Sequence, residues 1–242
     1  MLTVASYNIR KAIGTDRRRK PERIIEVLNE IDADVVALQE ADRRFGRHVA
    51  VLPEWLLETH TPFQAIELGA RVESMGWHGN ALLVRRDYEV LATDRIRLPY
   101  LEPRGAVAAT IRANGRTVRL VGMHLDLSGL WRRRQAAALL HYLDQPNPYA
   151  PDATVMMGDL NEWSRARGCL LDFSRSFAFA DCGRSYHAGN PVARLDRIMW
   201  RGALAIEACG VHRSPLARRA SDHLPIWARF VPSADEAAPP KH

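Results

Sequence analysis

Apolar residues come along this chain in two patterns. Short apolar runs recur over residues 2–9, 34–39, 81–84, 106–113, 116–125, 154–157, 195–200, 204–211 and 224–230. Runs of that length, bounded by turn formers, predict strands that are largely buried. Residues 88–98 read as a further, more polar strand. Pro21–Ile31 instead carries apolar side chains at 24, 25, 28 and 31, the spacing of one helical face, with proline in the favoured first turn. Asn114-Gly115 is expected to join the strands at 106–113 and 116–125 as a tight hairpin. Ser128 is expected to cap a helix running through Trp131 to Leu143, which Pro146 stops. Strand-like and helix-like segments alternate without a fixed repeat period, so the pattern predicts one α/β domain over residues 1–231. Residues 232–242, rich in Ser, Asp, Glu, Ala and Pro, read as a disordered tail.

The polar residues then fall in one kind of place. Strand after strand runs apolar and ends in a hydrogen-bonding or ionisable side chain: VASYN at Asn8, VVALQE at Glu40, VGMHLD at His124 and Asp126, VMMGDLN at Asp159 and Asn161, and LD at Asp196. Ser221-Asp222-His223 sits just before the last strand. Strand ends of layered α/β proteins converge on one rim, where ligands bind, so six such endings predict a shared pocket. An Asp after a single strand is by itself an ordinary turn former; the set is what carries the argument.

The residue types indicate the chemistry. Carboxylate and amide oxygens without thiolates suit Mg²⁺, with Mn²⁺ or Ca²⁺ as substitutes, rather than zinc. Hydrolysis of a phosphate ester needs a cation on the phosphoryl oxygens, a base for the attacking water and donors for the charge that develops on oxygen. This set contains candidates for all three. No G-x-x-x-x-G-K-[ST], G-x-G-x-x-G or G-x-S-x-G motif is present, which removes the main support for nucleotide-triphosphatase, dinucleotide-binding and serine-hydrolase functions.

Composition narrows the setting. The 242 residues are 47% apolar and 26% charged, with three scattered cysteines at 169, 182 and 209. That excludes disordered, collagen-like and disulfide-scaffold classes and fits a reducing cytoplasm. No apolar run approaches the length of a bilayer span and the first residues lack a basic region, so a soluble protein without a signal peptide is expected. The formal charge is +6, and 31 of the 34 basic residues are Arg, a better fork for phosphate oxygens than Lys. A phosphate-bearing partner follows, nucleic acid or anionic phospholipid, with a monomer as the default oligomeric state.

In the order SYN (6–8), LQE (38–40), GNALLVRR (79–86), HLD (124–126), GDLN (158–161), LDRI (195–198) and SDH (221–223), the motifs resemble those of the endonuclease/exonuclease/phosphatase superfamily. That family includes deoxyribonucleases, inositol-polyphosphate phosphatases and bacterial sphingomyelinases. The resemblance spans nearly the whole chain. It implies a deoxyribonuclease-like four-layer α-β-β-α sandwich with two mixed β-sheets. It also implies a metal-dependent phosphoesterase, most simply a nuclease-like phosphodiesterase that activates a water. Carried over by motif, Glu40 would be the main metal ligand, with Asn8 and Asp222 beside it. Asn161 and His124 would hold or protonate phosphoryl oxygens. Asp159 and His223 are both base candidates, with Asp196 fixing the His223 tautomer. Asn80 would support the site, and Arg10 and Lys11 would meet the substrate phosphate. Asp126 departs from the small or apolar residue of many relatives, which opens a second metal or a leaving-group contact.

Substrate expectations follow from what surrounds these motifs. Short loops leave little room for specific duplex repair. The Arg clusters at 17–19, 43–47 and 132–134 suit nucleic-acid phosphates or an anionic lipid surface. Most of the 18 aromatic residues sit in apolar runs or beside proline, as core residues do, so base-stacking platforms are not expected. The alternatives carried forward are a phospholipid or inositol-phosphate phosphoesterase and a catalytically silent phosphate-binding module.

Overall fold

The structure is a computed structural model and describes residues 1–42, 50–68, 75–101, 104–164 and 167–233. Two six-stranded mixed sheets form its centre. The first has the order β11(Leu204–Val211), β12(Ile226–Pro232), β1(Leu2–Asn8), β2(Val35–Gln39), β4(Ala81–Arg85), β3(Phe63–Ala65). The second has the order β5(Glu89–Arg97), β6(Gly105–Ala113), β7(Arg116–His124), β8(Ala153–Asp159), β10(Asp196–Gly202), β9(Ala178–Phe179). In each sheet one parallel pair, β1/β2 or β7/β8, lies among antiparallel neighbours. Each parallel pair is joined through a helix, α1(Pro21–Ile31) or α3(Gly129–Leu143), because a parallel connection needs a crossover.

The near-continuous apolar runs are explained by three separate cores. Val4, Val35 and Leu82 face Val107, Leu120 and Val155 between the sheets. On the other face of the first sheet, Ala5, Val36 and Leu83 pack under Ile24 and Leu28 of α1, with α2(Glu54–His60) and α5(Pro215–Ala220) alongside. Across the molecule Val121, Met123 and Met156 pack under Ala136 and Leu139 of α3 and Phe173 of α4(Cys169–Ser174). Strand residues of both parities are therefore buried, and the order of layers is α-β-β-α, as the resemblance implied.

The predicted long elements are present within a residue or two, and Asn114-Gly115 forms the expected turn, both residues with positive φ. Two expectations need correction. Ser128 occupies the N-cap position of α3, but its side chain makes no capping bond; its N–H donates to Asp126 Oδ1 at 2.9 Å instead. Pro232 does not begin a tail: it ends β12, paired with Leu204. The short elements α2, β3, α4, β9 and α5 have no counterpart in the sequence reading. Residues 234–242 and the Arg43–Arg47 cluster lie outside the described residues.

Strand alignment sets where the polar endings go. Asn8 pairs with Gln39, His124 with both Gly105 and Asp159, and Asp196 with Asp159, so these endings share one rim. Gly158 permits the close approach of β8 to β7 there: at φ +157° a Cβ would lie 1.9 Å from the Met123 carbonyl oxygen.

Candidate active site

Asp159 is the hub. It is buried at the end of β8, and its Oδ2 accepts from Asn8 Nδ2 at 3.0 Å across the gap between the two sheets. His124 Nε2 lies 3.4 Å and His223 Nε2 3.7 Å from the same oxygen. Its other oxygen, Oδ1, accepts the Asn161 N–H at 2.9 Å, and Asn161 Nδ2 donates to the Leu125 carbonyl at 2.9 Å. One carboxylate thereby gathers groups from β1, β7, β8 and the segment before β12.

The two histidines beside it are set to opposite charge states. Burial disfavours the charged form of His124, and although Asp159 opposes the effect, Arg104, His223 and Lys11 add to it, taking the pKa down to about 3. The Arg104 guanidinium stands 2.8 Å from its ring nitrogens, consistent with a neutral ring facing a group that only donates. His223 is also buried, which by itself disfavours charge. Asp196 and Asp159 outweigh that and hold its pKa up at about 10. His223 Nδ1 is 2.9 Å from Asp196 Oδ2, and Ser185 Oγ donates to that same oxygen. Tyr186 covers the ring, with centroids 4.8 Å apart.

Two further carboxylates, Glu40 and Asp222, are half-buried beside the basic pair that follows β1. Glu40 follows β2 and pairs with the Lys11 ammonium; Asp222 Oδ2 lies 3.2 Å from Arg10 Nε. Asn8 Oδ1 accepts the Arg10 N–H at 3.1 Å, and Ser221 Oγ donates to the Asn8 carbonyl at 2.7 Å, which ties the Ser221-Asp222-His223 segment to β1. Arg10, Lys11, Ala12, Glu40 and Asn161 all have φ between 45° and 56°. Left-handed backbone at a non-glycine residue costs about 1–2 kcal/mol, and its concentration at this rim marks the segments whose aim is held against strain. Glu40 and Asp222, already facing Lys11 and Arg10, and the Asn8 amide are hard oxygen donors, so the donor set fits Mg²⁺, Mn²⁺ or Ca²⁺. Asp159, Asp196 and His223 are a further group with ligand atoms within 4.8 Å of one another.

Asn80 is fully buried and stitches the sheets together at the rim, donating to the Gly105 carbonyl at 3.0 Å, while its Oδ1 has no hydrogen-bond partner. Asp126 is buried in the turn before α3, where its N–H donates to Gln135 Oε1 at 2.8 Å. The Arg132–Arg134 cluster is not a basic surface patch. Arg132 is buried against Glu162 at 3.1 Å, Arg133 pairs with Asp172 at 3.3 Å, and Arg134 lies over the Trp131 ring. Three successive helical residues point three ways. Among the described aromatics the exposed exceptions to a core position are Trp55, Tyr100, Tyr149 and Trp163, and Trp163, on the loop past Asn161 rather than in a strand, stands edge-on to Tyr186. Sequence reasoning also missed Arg104, Ser185 and Tyr186; none lies in an apolar run that ends in a polar residue. Behind Asp196 is a cavity of about 400 Å³ lined by Trp163, Leu171, Cys182, Arg184, Val192 and Arg197.

A four-layer sandwich with a carboxylate–histidine–amide rim defines the class of protein. The sequence model of the Endonuclease/Exonuclease/phosphatase family matches residues 5–223, and the chain belongs to that family of phosphoester hydrolases. Among solved structures it is similar to the Bacteroides thetaiotaomicron mannosyl-6-phosphatase Bt3783 (18% identity, TM-score 0.76, covering 96% of this chain and 100% of that one). It is also similar to D. rerio TDP2 complexed with a single-strand DNA product (18% identity, TM-score 0.72, covering 95% and 98%). The human Nocturnin catalytic domain is a third such structure (20% identity, TM-score 0.73, covering 96% and 94%). No helix among the described residues is long and apolar enough to cross a membrane.

Proposed function

We propose that the chain is a divalent-metal-dependent phosphodiesterase. What carries the reading is the hub: one buried carboxylate, Asp159, with two amides and two histidines of opposite charge state directed at it. Asp159 is the proton acceptor for the attacking water. Of the two base candidates it is a carboxylate that reaches both histidines, whereas His223 is held protonated between two carboxylates. His223 as imidazolium, oriented by Asp196, stabilises charge developing on a phosphoryl oxygen, and neutral His124 and Asn161 hold that oxygen from the other side. Glu40, Asp222 and Asn8 would hold the cation, Mg²⁺ first and Mn²⁺ or Ca²⁺ as substitutes. When bound, it supplies positive charge to the phosphoryl group. The Asp159–Asp196–His223 group is the weaker metal candidate, because Asp196 and His223 already engage each other. Arg10 and Lys11, adjacent to the carboxylates, are then free to meet the substrate phosphate. The compartment we assign is the cytoplasm, in keeping with three free cysteines.

The test is hydrolysis of bis-p-nitrophenyl phosphate by purified protein stripped with chelator and reloaded with Mg²⁺, Mn²⁺, Ca²⁺ or Zn²⁺. Turnover restored by a hard cation supports the reading. A chelator-treated enzyme that works at full rate, or that only zinc restores, contradicts it.

A further inference from the structure

Exposed apolar side chains are unevenly spread over this molecule. Ten large ones stand in solvent among the described residues, and Tyr100, Leu101, Leu127, Leu130 and Trp163 all lie on segments leaving the site rim. Residues 98–101 lead toward Gly105, which pairs with His124; residues 125–130 follow His124 into α3; and residues 160–163 follow Asp159. Leu171 and Val192, also exposed, line the cavity behind Asp196. Five of ten on segments leaving one rim, with two more at the adjoining cavity, is a grouping, where a protein surface usually scatters such residues singly.

These tips are held rigidly. Buried Gln135 donates to the Pro99 carbonyl at 3.0 Å and accepts the Asp126 N–H at 2.8 Å. Buried Arg132 donates to the Leu127 carbonyl at 2.6 Å and to Glu162 at 3.1 Å. Two side chains of α3 therefore fasten three loops, and Leu127 (64% exposed) and Trp163 (63% exposed) project from a fixed platform. Arg17 and Arg18, in the rim loop after β1, and Arg184, at the cavity, are exposed, and their guanidinium groups have no carboxylate partner among the described residues.

Whatever seats on these segments lies over the mouth of the site, so its occupant has to bring the scissile ester with it. Nucleic acid offers phosphates to the arginines but nothing to Leu101, Leu127 and Leu130, since stacking on bases takes flat rings. An anionic bilayer offers phosphodiesters at headgroup depth, negative charge for arginine, and an acyl boundary for Leu and Trp.

Resting on the phosphodiesterase reading above, the geometry points to this rim as a membrane-docking surface that delivers the phosphodiester of an anionic glycerophospholipid to Asp159 and His223. Water adds across one P–O bond: its oxygen goes to phosphorus and a proton to the departing alkoxide, leaving a phosphomonoester and an alcohol.

The experiment is co-sedimentation of the metal-loaded protein with vesicles of phosphatidylcholine alone and of phosphatidylcholine mixed equally with phosphatidylglycerol, at low and physiological salt. Wild type should sediment with the mixed vesicles, less so as salt rises. Leu127→Ser/Leu130→Ser should weaken that binding about tenfold, as loss of two partly inserted apolar side chains implies. Trp163→Ser is the second, independent variant, and Trp55→Ser on α2, away from these loops, should bind as wild type does. Thermal unfolding checks that each variant is folded. Wild type that stays off the mixed vesicles, or a folded double variant that binds them equally well, overturns the inference, as does preferential binding of single-stranded DNA. Hydrolysis of bis-p-nitrophenyl phosphate, run in parallel, separates the two failures: turnover without vesicle binding overturns docking alone, and no turnover of any diester overturns the phosphodiesterase reading.

Discussion

The units β1–α1–β2 and β7–α3–β8 share one plan, a parallel pair closed by a helix, yet their strand ends have different environments. Asn8 and Glu40 end the first, where the Glu40 carboxylate is half-buried and faces Lys11. His124 and Asp159 end the second, both almost fully buried and in contact with each other. A carboxylate near water among cations is suited to exchange one cation for another. A buried carboxylate ringed by donors is suited to handle a proton. The same architecture thus supplies the two halves of the proposed hydrolytic site, and the Asn8–Asp159 hydrogen bond joins them across the interface between the sheets.

The largest effect is expected on the proton side. Asp159→Asn keeps the shape but replaces the acceptor with an amide, and activity should fall by up to ~10⁴-fold, the upper range for positioned acid–base groups. Metal affinity, measured by calorimetry, should change little. A large loss of affinity in Asp159→Asn would move the cation into the buried cluster and erase the distinction between the halves.

Next comes the metal side. Glu40→Gln should cost about a hundredfold or more in rate, because a cation on the phosphoryl group supplies several kcal/mol, and here the metal affinity should fall with it. The fold should stay intact, since the Glu40 carboxylate is half-buried and pairs with the Lys11 ammonium. Wild-type turnover by Glu40→Gln in saturating Mg²⁺ would remove this residue from the metal site.

Much of this division could be read from the chain before any coordinates, for a physical reason. A strand buried on both faces is mostly apolar, so an ionisable or amide side chain at its end stands out, and Asn8, Glu40, His124 and Asp159 are such residues. Where that contrast is missing, so is the signal. Ser185, which donates to Asp196, and Tyr186, which covers His223, lie in an irregular segment with no period. Arg104 looks like one arginine among 31 until β6 brings it to His124. Arg132 sits in an apparently basic run, and only the position of Glu162 after β8 makes it a buried ion pair. Short elements such as α5, six residues, offer too few turns for a pattern.

An effect of similar size tests whether His223 and Asp196 act together across the first and second sheets. Single variants Asp196→Asn and His223→Ala should each slow turnover by ~10²–10³-fold, and the double variant should be little slower than the worse single one, as for groups that work as a unit. Multiplicative losses would mean that Asp196 does not orient the ring.

The smallest effect is on stability, and it separates the two histidines by sign. For His124 the folded pKa, about 3, lies below the unfolded value of about 6.5. Its neutral form is therefore favoured by folding, and that contribution is complete above about pH 6.5 and lost as pH falls toward 3. His223 is the reverse: with a folded pKa of about 10, its contribution is complete below about pH 6.5 and is lost as pH rises through 10. In chelator-treated protein, His124→Gln should flatten the acid side of a plot of Tm against pH, and His223→Gln the alkaline side. Each change should be a few degrees, given about 2–4 °C per kcal/mol for a chain of this size. The comparison with wild type cancels the carboxylates that titrate over the same acid range, because they are common to both proteins. An unchanged acid slope in His124→Gln would mean that the ring is already charged in the folded protein, and the contrast between a neutral His124 and a protonated His223 would fail with it.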